Sequence, residues 1–424
     1  MKRISFIFVF PFMLFGAVDI GGYLEIGKTS FTGLRNSPYF PIYNDLRIEG
    51  KTGSPHLRGV LSFDTRFYDF STVSNTRDLS SIESLYPLSI NLYEAYFSIS
   101  DFLINNLDLN IGKQRIAWGT ADKFNPTDNI NPIDLSNPFT FGEHIPTFSV
   151  EISYYWNQWA LNAIGIPAFT PALLPSDSLL IGAIPVGNSH LPSLLPRNGS
   201  YAFKISTNLM NFDMSLSYYY GFDKFPVPDS VGYVSNETYG FDREKVGGFD
   251  YSGELFSIGL WGEFAYFMPD RYSTKINTPV FDTLGNIIAV VPIDTSYLKD
   301  PYFRTTIGMD YTFPHNIYIN VQYVHGMDFE RKVMIGNDKS TNPGDYIVGR
   351  IEKDIFDNLK MTLAGIGEKR GDSLAYSVIP EIEFHPYDNC KISTGYFQTF
   401  GNKGTYFGGM KEYKMAYVKF RFEF

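Results

Sequence analysis

The chain of 424 residues contains one cysteine, Cys390, so an internal disulfide framework and a cysteine-based zinc site are both excluded. Its six histidines (His56, His144, His190, His315, His325 and His385) show no HxH or HExxH spacing, and no GxSxG nucleophile motif occurs. Apolar runs are short, and nowhere are there 18 consecutive apolar residues to make a spanning helix. Basic residues are outnumbered, 35 Lys and Arg against 45 Asp and Glu, for a formal net charge of −10. A chain of that sign repels phosphates, so a nucleic-acid partner is not expected. Neither a catalytic centre nor a cofactor is expected, and the chain reads as a non-enzyme.

What the chain has in excess is aromatic side chains, 30 Tyr and 38 Phe, against a hydrophobic share of only 44%. Soluble cores this aromatic are greasier overall. Strands that alternate lipid-facing and water-facing residues average to this value, with the aromatics gathered in girdles. Residues Met1 to Ala17 read as a secretory leader: Lys2 and Arg3, an apolar stretch from Ile4 to Phe15, and small Gly16 and Ala17. Residues 18–424 then form one domain.

From Asp19 onward the pattern is period two. Ile317, Ile319, Val321 and Tyr323 alternate with Asn320 and Gln322; Phe212, Met214, Leu216 and Tyr218 alternate with Asp213, Ser215 and Ser217. Successive side chains of a strand point to opposite faces, so each segment describes one greasy wall and one wet wall. The segments run roughly 9 to 12 residues, the length a tilted strand needs to cross a bilayer. Short joints, such as Asn157-Gln158, Ser252-Gly253 and Asp357-Asn358, alternate with long ones. Sorting by parity is expected when one rim carries short periplasmic turns and the other long outer loops. The fold class expected is all-β, a transmembrane antiparallel β-barrel of about 18 strands (16–18) in a bacterial outer membrane. Strands beginning almost at the leader leave no room for a plug domain. The last strand carries Ala416, Val418, Phe420 and Phe422 on one face and ends on Phe424, a pattern like the signal read by the outer-membrane assembly machinery. The partners expected are outer-membrane lipids, that machinery, and other copies of the chain in a homo-oligomer.

Residues Asn110 to Pro138 stand out: Gly112-Lys113-Gln114, Trp118-Gly119, and three Asn-Pro turns, among them Asn125-Pro126-Thr127-Asp128. Gly112 interrupts the alternation and predicts a bulge. The stretch resembles a family of outer-membrane barrels of unknown function related to the porin superfamily, whose members carry a Gly-Lys/Arg-Gln, Trp-Gly, Asn-Pro-x-Asp run. The resemblance implies a barrel with a transport role and no assigned substrate. By strand count the segment is the third outer loop. An inward fold of that loop would bring Lys113, Gln114, Arg115, Asp122, Lys123, Asp128, Asp134, Glu143 and His144 to a constriction. A narrow throat of low dielectric magnifies the field of each charge there. On the polar face, Arg58, Arg66, Arg304, Arg350, Glu352, Glu381 and Glu383 are expected on the lumen wall, with Glu263, Lys391, Lys419 and Arg421. The function expected is passive diffusion of small polar solutes or ions; the alternative is a structural or adhesive barrel whose outer loops do the work.

Overall fold

The computed structural model describes residues 18–31, 44–68, 87–136, 142–174, 188–232, 238–270, 272–281, 287–331, 333–335, 339–412 and 414–424. The leader and most of the second outer loop lie outside these residues.

Eighteen antiparallel strands close into a barrel. They are β1 (Asp19–Phe31), β2 (Asn44–Ser54), β3 (Leu57–Phe67), β4 (Leu88–Ile99), β5 (Leu107–Gln114), β6 (Thr147–Trp156), β7 (Trp159–Ile166), β8 (Ser200–Leu209) and β9 (Phe212–Phe222). The second half comprises β10 (Arg243–Leu255), β11 (Ile258–Pro269), β12 (Tyr302–Phe313), β13 (Ile317–His325), β14 (Asp345–Phe356), β15 (Leu359–Arg370), β16 (Ser373–Tyr387), β17 (Cys390–Gly401) and β18 (Lys414–Glu423). Each strand pairs with the next. The seam is β1 on β18, from Tyr23 opposite Glu423 to Phe31 opposite Met415. Phe424 exchanges backbone hydrogen bonds with Gly22 at 2.9 and 3.1 Å, so no edge is left at that end.

The alternation follows from two solvents. On β9 Leu216 is 60% exposed while Ser215, beside it, is 4% exposed and faces the lumen. Only a closed sheet satisfies its backbone groups internally while presenting such side chains to hydrocarbon. Trp156, Phe256, Phe356 and Tyr387 stand exposed beside the short turns, as a girdle at that rim should.

The short turns use left-handed residues. Met210 and Asn211 (φ 53° and 67°) and Phe256 and Ser257 (φ 52° and 62°) make two-residue hairpins whose twist matches the strands. The joint expected at Ser252-Gly253 therefore falls at Phe256-Ser257 instead. Gly253 lies within the ladder opposite Phe212, and a Cβ there would meet the Phe212 ring at 2.6 Å, so this glycine serves close approach rather than a turn. The bulge expected at Gly112 is also relocated. Gly112 keeps regular register with Tyr96 and Ser149, with φ at 137°, whereas the register slips on β4 between Leu92 and Glu94. Gly112 is required because a Cβ would sit 2.3 Å from the Ala95 carbonyl oxygen.

Every long connection joins strand ends at the outer rim, but one outer connection is short: Gly371 and Asp372 join β15 to β16 directly. The outer loops also build a second, seven-stranded sheet, largely the hairpin of Tyr272–Phe281 and Ile287–Lys299 with short strands from neighbouring loops. It was not expected from the sequence.

Candidate functional site

The third outer loop, described over residues 115–136 and 142–146, turns into the barrel and crosses it. Its apolar residues Ile116, Trp118 and Ile130 pack against inward-facing Ile164, Ala202, Val246, Ala265 and Phe267 of β7, β8, β10 and β11 in one buried cluster. Among the described residues the largest buried apolar cluster thus sits inside the lumen, filling the side formed by those strands.

Polar anchors fix the crossing. Glu263 on β11 is fully buried. Its Oε1 accepts from the backbone N–H groups of Thr120 and Ala121 at 2.6 and 2.7 Å. Its Oε2 accepts from the Thr127 N–H at 3.0 Å and the Thr127 hydroxyl at 2.8 Å. Four donors replace water around one carboxylate, which makes the burial tolerable without a cation. The Thr306 hydroxyl donates to the Phe124 carbonyl at 2.9 Å, and the Gln322 amide to that of Asp122 at 3.2 Å. At the loop's other end Arg66 of β3 donates to Asp134 at 2.9 Å. The loop therefore touches walls on opposite sides of the barrel. Gly119 makes the tight approach possible: its φ is 87°, and a Cβ there would lie 2.5 Å from the Glu263 carboxylate.

Among the described residues, two cavities lie beside the loop. One, of about 660 Å³, opens toward the short-turn rim and is lined by Arg115, Lys123, Asp128, Glu143, His144, Lys391, Lys419 and Arg421, among others. The other, of about 500 Å³, lies between the loop tip and β13–β18 and includes Asp122, Lys123, Arg350, Glu352, Glu381, Glu383, Lys391 and Lys419. Lys123, Lys391 and Lys419 belong to both linings and mark where the cavities meet. The wall facing Arg115 and Glu143 carries stacked cations: Arg47 lies 3.6 Å over Tyr93 and pairs with Asp64 at 2.6 Å, while Arg421 lies 3.8 Å over Tyr23.

Of the nine expected constriction residues, Arg115, Asp122, Lys123, Asp128, Glu143 and His144 line these cavities. Three do not. Gln114 is buried against Ser149 at 3.1 Å, Lys113 donates to the Leu92 carbonyl, and Asp134 is held by Arg66 and the Ser136 backbone. They hold the loop's two ends rather than face the opening. Of the wall residues, Arg350, Glu352, Glu381 and Glu383 line a cavity. Arg66 is a loop anchor, and Arg304 is buried against Asp328 at 3.0 Å and over the Phe267 ring at 4.1 Å. Arg58 lies on the inward-facing register near the short-turn rim, exposed and outside both linings. Burial pushes the carboxyls of Asp128 and Glu143 above the ordinary range; His144 chiefly opposes the first shift and Arg47 the second. The His144 ring lies 2.9 Å from the Asn131 carbonyl and 3.8 Å from Asp128.

The ninth outer loop, between β17 and β18, also enters the lumen, which the strand alternation does not foretell. Its one-turn helix Tyr406–Gly409 is held at Glu368, whose two oxygens accept from the Tyr406 and Phe407 N–H groups at 2.9 and 3.0 Å. Thr405, which caps that turn, was the one local signal available.

No family model matches the chain, and no curated protein matches it either. Solved structures do. OccAB3 of Acinetobacter baumannii aligns over 96% of this chain and 98% of its own, at 9% identity and a TM-score of 0.52. OccK9 (OpdG) of Pseudomonas aeruginosa aligns over 96% and 97%, at 10% identity and a TM-score of 0.50. The likeness is one of fold. With the hydrocarbon-facing band, it makes this chain a bacterial outer-membrane β-barrel.

Proposed function

We propose that the barrel is a porin-like channel for passive diffusion of small polar solutes or ions, narrowed by its third outer loop. The observation that carries this reading is the pair of cavities sharing Lys123, Lys391 and Lys419 alongside a loop pinned to opposite walls. A structural barrel has no need of a loop held off part of its lumen, nor of charges of both signs along the gap. Three lysines in a throat of low dielectric act on a passing ion far more strongly than the chain's net charge does. The same reading carries export by the leader at Met1–Ala17 and insertion guided by the terminal strand ending at Phe424.

Single-channel recording in planar bilayers, with liposome swelling by solutes of graded size, is the test. The parent is expected to conduct. Lys123→Glu is expected to shift the reversal potential toward cations, and a variant lacking residues 120–143 to conduct more. A silent parent removes the channel and leaves a closed surface barrel; unchanged conductance in the deletion removes the constriction.

A further inference from the structure

The cavity between the loop tip and β13–β18 changes character along the barrel axis. Toward the outer rim it is walled by Phe124, Met327, Phe329, Phe407, Met410 and Met415. Toward the inner end the wall turns charged, and the lining as a whole sets four acids (Asp122, Glu352, Glu381 and Glu383) against four bases (Lys123, Arg350, Lys391 and Lys419). Arg350 lies 3.1 Å from Glu352, Lys391 lies 3.1 Å from Glu383, and the Tyr417 hydroxyl donates to Glu381. The apolar side chains come from β18 and three separate loops, and the loop-nine contribution is built in. Glu368 holds the Tyr406–Gly409 turn by its N–H groups, and Arg370 ties Glu368 to Glu330. Apolar surface facing water costs roughly 25 cal/mol per Å². Phe124, Met327 and Met415 are buried, but Phe329, Phe407 and Met410 are only half-buried and keep apolar surface on the cavity, which suits a solute that covers it.

We infer that this chamber binds small amphipathic solutes by their apolar body, aromatic or branched aliphatic, and does not select the sign of the polar head. The inference rests on the channel reading for its role in permeation, but not for the binding itself. A volume of about 500 Å³ is that of an ordinary small-molecule pocket and admits one aromatic ring with its head and waters. Matched charges at the inner end solvate a head of either sign, so discrimination falls to the apolar wall.

Titration calorimetry on the full barrel in nanodiscs, with empty nanodiscs subtracted, tests this with benzyl alcohol, benzoate and benzylamine against acetate and ethylammonium. The three aromatic probes are expected to bind within about threefold of one another, and the two small ions not measurably. Phe407→Ser, which keeps the N–H groups held by Glu368, is expected to weaken all three about tenfold through lost apolar contact. Met415→Ser should act in the same direction. Affinity that follows head sign, or aromatic probes no better than acetate, overturns the inference on the parent protein alone, whatever the variants do. Bilayer recordings of the same preparation keep the two readings apart: absent current refutes the channel, while the calorimetry still decides the chamber.

Discussion

Removing the Glu263 carboxylate should release the third loop while leaving the barrel standing. In Glu263→Ala the N–H groups of Thr120, Ala121 and Thr127 and the Thr127 hydroxyl all lose their acceptor. Hydrogen bonds to a charged group contribute about 1.5–3 kcal/mol each, and a buried donor left unmade costs about 1–3. The lumen is wet, so water recovers part of this; on the order of 4 kcal/mol of docking free energy should be lost, roughly a thousandfold in the docked-to-released ratio. The wall itself is untouched, because β11 keeps its ladders to β10 and β12. The expected result is a folded, heat-modifiable barrel with larger, noisier single-channel currents and a new protease-sensitive site within residues 115–146. Glu263→Gln should fall between, since one amide oxygen still accepts while the amide N–H₂ faces the Thr127 donors. Charge loss alone would change current equally in both variants but would not create the cleavage site. An alanine variant with parental current, noise and protease resistance refutes the anchoring role.

Gly119→Ala should mimic that release, because the added methyl meets the Glu263 carboxylate at 2.5 Å in a left-handed backbone; protease sensitivity equal to the parent's would contradict this. Arg66 and Asp134 should show a coupling of about 1–3 kcal/mol in a double-mutant cycle of loop protection, being a largely buried charged pair. The loop should also respond to pH. Asp128 and Glu143 have folded-state pKa values raised by burial, so docking gains from them when protonated. That contribution is fully present below their unfolded pKa and is lost as pH rises through the raised value. In current terms, acidification from neutral should neutralise these two before ordinary carboxylates and move selectivity toward anions. Glu143→Gln should reduce the shift, and a reversal potential flat from neutral to mildly acidic pH would count against both assignments.

The barrel was legible because hydrocarbon imposes a rule on every second residue. Leu216, Tyr218, Ile307, Met309 and Val418 stand on the greasy face as the alternation requires. The inward course of the third loop could be expected only from its place in the loop order, because its Asn-Pro turns serve equally as stiff corners of a loop that caps the outside. What the pattern could not separate was a lumen-facing charge that meets solute from one that holds a loop. Arg66 and Arg304 obey the same alternation as Arg350, and only the partner decides; Asp134 and Asp328 lie in loops with no periodicity to read. The outer sheet was hidden for another reason. Pro279 and Pro292 stand inside its two longest strands, and proline argues against a strand interior. Glu263 looked like any wall carboxylate, because its donors are far away in the chain.

That separation has a kinetic consequence. Thr120, Ala121 and Thr127 precede Glu263 by 143, 142 and 136 residues, and the loop's apolar partners run from β7 to β12. Contacts so distant in sequence form late, since the chain between them must be ordered first. The third loop thus lacks its Glu263 anchor until β11 is in place, and an assembly intermediate stopped short of that strand would be a wider, stickier half-shell.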